Sequence, residues 1–151
     1  MRVVRDCQCL PGQELFQYVD ADGSVHCVGS ADVNAYLQEA SQALFTAKDF
    51  RTWHASAHAL SLLTGNMDEG TTALGKARIN AVLKEVAGRL RNTVAVCRRS
   101  YVHPQLLEAA TAGTLQAAPY RARASKAVQR GLIVQELNLL AFLTDLQKAS
   151  T

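Results

Sequence analysis

With 151 residues, 48% of them apolar and 19% charged, the chain is long enough to bury a core of its own and falls outside the disordered and low-complexity classes. A net charge of +3 permits a nucleic-acid partner without requiring one. Cys7, Cys9, Cys27 and Cys97 make neither a C-x-x-C pair nor a zinc spacing, and no apolar run approaches the ~20 residues of a membrane helix. Scattered thiols with no secretory leader lead us to expect a cytoplasmic protein with no membrane partner.

In chain order, residues 1–9 read as the last turns of a helix broken by Pro11-Gly12. Short apolar runs at 15–19 and 25–28 flank Asp22-Gly23, which predicts a small β-hairpin. A helix is expected over 30–41, capped by Ser30, with Val33, Tyr36, Leu37 and Ala40 on one face. Thr46 to Asp49 has the form of a capping box and opens a helix to about Thr64. Phe50, Trp53, Ala57 and Leu60 form its core stripe, and Arg51, His54, Ala55 and His58 another face.

The next helix is predicted over 71–90, with Leu74, Ile79, Val82, Leu83, Val86 and Leu90 inward. A short helix follows over 93–101. Pro104 opens another, which Gly113 stops after about Ala112. A loop at 117–120 leads to a last helix over 125–149, with Val128, Leu132, Leu139 and Leu143 or Phe142 inward. The predicted fold class is mainly α, a single domain over 1–151 with one possible short N-terminal β-hairpin.

The charge distribution says more than its sum. Arg89, Arg91, Arg98 and Arg99 form one acid-free run, and Arg121, Arg123, Lys126 and Arg130 a second. Such runs are most often solvated faces. His54 and His58 have the i, i+4 spacing of a helical metal pair, but no Glu accompanies them and no third ligand is evident, so no metal site is expected. Glycine-rich phosphate cradles, G-x-S-x-G and a catalytic Cys–His pattern are all absent, so no nucleotide cofactor is expected either.

One constellation remains. Breaking a phosphodiester without a metal takes a nucleophile, donors for the non-bridging oxygens and an acid for the leaving oxygen. Arg suits the second role because its planar fork can bind two phosphate oxygens at once. A tyrosine suits the first where nearby cations favour its anion. Tyr101 follows Arg98 and Arg99, and Arg51 lies in a second polar box. The alternative is that Arg51 pairs with a carboxylate and Tyr101 fills core.

Two motifs carry a resemblance. Thr46-Ala-Lys-Asp-Phe-Arg-Thr-Trp53 resembles the arginine-bearing box of type IB DNA topoisomerases. Asn92-Thr-Val-Ala-Val-Cys-Arg-Arg-Ser-Tyr101-Val-His-Pro104 resembles the box around their nucleophilic tyrosine, in the bacterial and poxvirus-like branch. Leu10 to Tyr18 and Asp32 to Leu37 are similar to the bacterial members, and the likeness runs to about residue 112. It implies the helical C-terminal catalytic subdomain shared by these enzymes and tyrosine recombinases, acting on double-stranded DNA at the nucleoid. Tyr101 would attack the phosphate to give a 3′-phosphotyrosine. Arg51 and Asn92 would donate to the phosphate, and Lys48, Arg98, Arg99 and His54 would contact DNA. Supercoils would relax by strand rotation and religation, with neither ATP nor a metal.

The resemblance also sets expectations about what is not matched. The family's first catalytic arginine and its general-acid lysine lie upstream of the segment matched here, so the chain is expected to be the C-terminal part of a longer catalytic domain and poorly active alone. Arg91 stands where the family usually has Gly. A tyrosine recombinase is the nearest alternative, though a His-x-x-Arg would have favoured it over Lys48-Asp-Phe-Arg51. A non-catalytic DNA-binding remnant, and a helical domain with no DNA role, are the others.

Overall fold

Asp20 builds the turn that the Asp-Gly signal predicts. Its carboxylate accepts the backbone N–H groups of Asp22 and Ser24 at 3.0 and 2.9 Å, and Gly23 supplies the positive φ of 82°. Strands β1 (Gln17–Val19) and β2 (Val25–Cys27) then pair antiparallel, with Tyr18 opposite His26. The Tyr18 and His26 rings stack at 5.2 Å, and His26 Nε2 lies 2.7 Å from Asp20 Oδ2. That hydrogen bond from His26, helped by the Ser24 and Asp22 amides, holds the Asp20 carboxyl below its ordinary range.

This computed structural model describes residues 14–65, 74–115 and 131–149. The expected helix at 1–9, the loop at 117–120 and Val128 lie outside those residues. The chain divides into two compact units, Met1–Ala47 and Lys48–Thr151.

In the first unit the hairpin is followed by α1 (Ser30–Ser41). Gly29, not Ser30, stands at its N-cap, and the Asp32 carboxylate reaches back to accept the Gly29 N–H at 2.8 Å. No residue of α1 is buried, and Tyr36 is 69% exposed.

The second unit holds the core. Helices α2 (Ala47–Gly65), α3 (Lys76–Leu90), α4 (Val94–Ser100), α5 (Pro104–Ala112) and α6 (Val134–Ala149) all contribute to it. Leu60, Leu63, Leu83, Leu106 and Leu139 are fully buried. On α2 the buried arc is Ala55, Ser56, Ala57, Ala59, Leu60 and Leu63, so Phe50 is left exposed and Ala55 is inside.

Two helix starts fall later than the periodicity suggests. Gly75 is extended at the N-cap of α3, and the Leu74 N–H donates to the Ala110 carbonyl at 2.9 Å, which draws residue 74 away from the helix. Helix α6 begins at Val134 because Glu136 folds back and accepts the Ile133 N–H at 3.0 Å, satisfying an N-terminal donor that would otherwise have no helical partner. At the end of α5, Gly113 takes the left-handed conformation (φ 73°) and stops the helix as predicted.

Candidate active site

The tyrosine segment is assembled from helix ends. Helix α3 stops at Leu90, Arg91 turns the chain in the left-handed region, and the Asn92 N–H returns to the Ala87 carbonyl at 2.9 Å. The Thr93 hydroxyl then caps α4 by accepting the Val96 N–H at 3.3 Å, a contribution of about 1 kcal/mol for caps of this kind. Cys97 anchors α4 in the core, and that burial pushes its thiol pKa up. Tyr101 closes the helix, its N–H donating to the Cys97 carbonyl at 3.1 Å. Pro104 begins α5 three residues on, which keeps Tyr101 at a bend between two helices, half-buried.

Helix α2 brings the arginine to this bend. The Arg51 guanidinium carbon lies 5.1 Å from the centroid of the Tyr101 ring. A guanidinium over a phenol face is attracted by the ring quadrupole, by about 0.5–1 kcal/mol at an exposed site. Arg51 also donates to the Leu90 carbonyl oxygen at 3.1 Å, and the Asn92 side-chain amide donates to that same oxygen at 3.3 Å. Two donors from different elements thus converge on one acceptor beside the tyrosine. Among the described residues the Tyr101 hydroxyl makes no hydrogen bond, and its backbone carbonyl accepts from Ser56.

Ser56 ties the two parts together from inside. Its buried hydroxyl accepts the His103 N–H at 3.0 Å and lies 3.3 Å from the Tyr101 carbonyl oxygen. Both backbone groups flanking Val102 are therefore held by a residue of α2, one turn and a half beyond Arg51. Nothing in the sequence singles out Ser56, because a serine in an alanine-rich helix is ordinary.

The other predicted contacts are distributed differently. Lys48 is exposed near the start of α2, one helical turn before Arg51 and on the same side of the helix. Arg99 is exposed on α4, while Arg98 donates to the Asn80 side chain on α3 at 3.1 Å. His54 is exposed on α2, three residues beyond Arg51. Its Nδ1 lies 3.5 Å from Glu136 Oε1, the oxygen that accepts the Trp53 indole N–H at 3.0 Å. His58 Nε2 lies 3.5 Å from Glu85, so the two histidines have separate carboxylate neighbours. No group of three or more possible metal ligands exists among the described residues.

An arginine on one helix set over a tyrosine at the junction of two others, with an amide converging on the same point, is an arrangement suited to holding a phosphate beside a phenol. The sequence profile of the eukaryotic DNA topoisomerase I catalytic core matches residues 1–128. The DNA topoisomerase 1B of Acanthamoeba polyphaga mimivirus is 36% identical over 106 residues, covering 66% of this chain and 32% of that protein. The chain belongs to the type IB DNA topoisomerase family. It spans about a third of the length of the viral relative it matches, and α6 lies beyond the profile match.

Proposed function

We propose that this chain carries the tyrosine half of a topoisomerase site, an isomerase that relaxes supercoiled double-stranded DNA by transient cleavage of one strand. The convergence of Arg51 and Asn92 beside the Tyr101 ring carries this reading. The Tyr101 oxygen attacks phosphorus in line, the bond to the 5′ oxygen breaks, and a 3′-phosphotyrosine and a free 5′-hydroxyl result. Arg51 and Asn92 leave the Leu90 carbonyl and donate to non-bridging phosphate oxygens, neutralising charge as it develops. Asn92 is uncharged and acts by hydrogen bonding alone. Lys48, Arg98, Arg99 and His54 contact the DNA around the site. Religation is the reverse step. The phosphotyrosine conserves the bond energy, so the cycle consumes neither ATP nor any other nucleotide. The enzyme would work where chromosomal DNA is, in a cytoplasmic nucleoid.

The chemistry calls for a further phosphate donor and an acid for the 5′ oxygen, and the matched motifs supply neither. Losing one such donor costs on the order of 10²–10³ in rate. Cleavage by Tyr101, Arg51 and Asn92 on their own is therefore expected to be slow, and to rise when the upstream elements of the same enzyme are supplied.

The test is a suicide duplex from which the short downstream fragment bearing the free 5′-hydroxyl diffuses away, which traps the covalent intermediate. A protein–DNA adduct that maps to Tyr101 and vanishes in Tyr101→Phe is the expected outcome. An adduct that persists in Tyr101→Phe overturns the assignment. DNA affinity without any adduct, with upstream elements present, would favour the non-catalytic remnant.

A further inference from the structure

Two described residues other than glycine have positive φ, Gln42 at 53° and Arg91 at 54°. Each follows the last residue of a helix, where glycine usually stands because a side chain is disfavoured there. Gln42 compensates locally, since its side-chain amide donates to the Glu39 carbonyl of the helix it closes, at 2.7 Å. Arg91 has no such compensation. Its backbone N–H is satisfied by Ala87 and Gly88, but its guanidinium makes no hydrogen bond or ion pair among the described residues. The side chain is exposed, and it sits in sequence between Leu90, whose carbonyl gathers Arg51 and Asn92, and Asn92 itself.

We infer that Arg91 is a phosphate-contacting residue of the DNA-binding surface, kept at a strained backbone position for its charge. The inference rests on the DNA reading above. A strained residue persists where its surroundings or its function require it, and an unpaired guanidinium beside two converging donors is suited to the backbone of a bound duplex. The rival explanation is structural: a cation at the C-terminal end of α3 interacts favourably with the helix dipole. The two explanations predict opposite results.

The experiment titrates the 151-residue chain against a short duplex DNA over a range of salt concentrations and melts each protein. Arg91→Gly removes charge and strain together, Arg91→Gln removes charge and keeps the strained position, and Arg91→Lys keeps the charge. The Gly and Gln variants are expected to bind several-fold more weakly at low salt, with a salt dependence shallower by about 0.9 in log–log slope, the value of one lost phosphate contact. The Lys variant is expected to keep the parent's slope, and the Gly variant to melt no lower than the parent. Unchanged affinity and slope in both neutral variants overturns the inference, as does a Gly variant that melts below the parent. If the parent itself shows no salt-dependent binding, the DNA reading fails first and this inference with it.

Discussion

Arg51 and Tyr101, fifty residues apart in sequence, meet with the guanidinium carbon 5.1 Å from the ring centroid. The contact joins a side chain near the start of α2 to the residue that closes α4. Ser56 holds the same two segments together from the buried side, through the Tyr101 carbonyl and the His103 N–H. The cation above the phenol therefore sits on a fixed frame.

Arg51 is exposed, and its interactions here are one ring contact and one hydrogen bond to a carbonyl. Arg51→Ala should cost no more than about 1–2 kcal/mol of stability. Adduct formation at Tyr101 should fall on the order of 10²–10³-fold. Arg51→Lys should recover little of it, because an ammonium lacks the planar fork. A variant that forms adduct at the parent's rate excludes Arg51 from the phosphate.

Ser56→Ala leaves the His103 N–H and the Tyr101 carbonyl without their inside partner. Each unmet buried group costs about 1–3 kcal/mol, so the urea midpoint should shift down clearly. The lost frame should also slow adduct formation by more than the fraction unfolded explains. Equal midpoints for parent and variant would show that water replaces the hydroxyl at no cost.

Trp53 is the sole tryptophan of the chain, which makes it a reporter for Glu136. Glu136 is buried and links α6 to α2 by accepting the Trp53 indole N–H, while also holding the Ile133 N–H. Glu136→Ala should move the Trp53 emission to longer wavelength and destabilise the fold by roughly 1–3 kcal/mol. Glu136→Gln keeps one acceptor oxygen and should shift both observables less. An unchanged spectrum in Glu136→Ala would mean that the indole is held by its packing alone.

Cys97 and Cys27 should react at very different rates with an alkylating reagent. Cys27 is exposed, whereas Cys97 is fully buried and its thiol pKa is raised above the ordinary 9.0 by loss of hydration. The sign for stability follows. The unfolded chain ionises Cys97 first, so this contribution is fully present below pH 9.0 and is lost as pH rises through the higher folded value. Peptide mapping at pH 8 should find Cys27 modified and Cys97 protected, and the melting temperature should fall above pH 9. Rapid alkylation of Cys97 in the folded protein would contradict its burial.

Much of the fold was legible because it rests on local signals. The Asp-Gly turn, Pro104 and Gly113 each act within a few residues, and the structure puts the hairpin strands and the ends of α4 and α5 within a residue or two of the expected positions. The starts of α3 and α6 were less legible, because Leu74 is drawn to Ala110 and Glu136 caps its own helix. Periodicity also misplaced Phe50, since which arc of α2 is buried depends on the helices packed around it.

By itself the sequence determined the helical class, the family motifs and the chemical types at Arg51, Asn92 and Tyr101. The tertiary structure alone decided that Leu90 would gather two of those donors, that Ser56 would clamp the tyrosine segment, and that His54 would turn to Glu136. Caps and turns are short-range, so neighbouring residues encode them. A carbonyl that receives donors from residues 39 positions and two positions away exists only once α2 has packed against the end of α3.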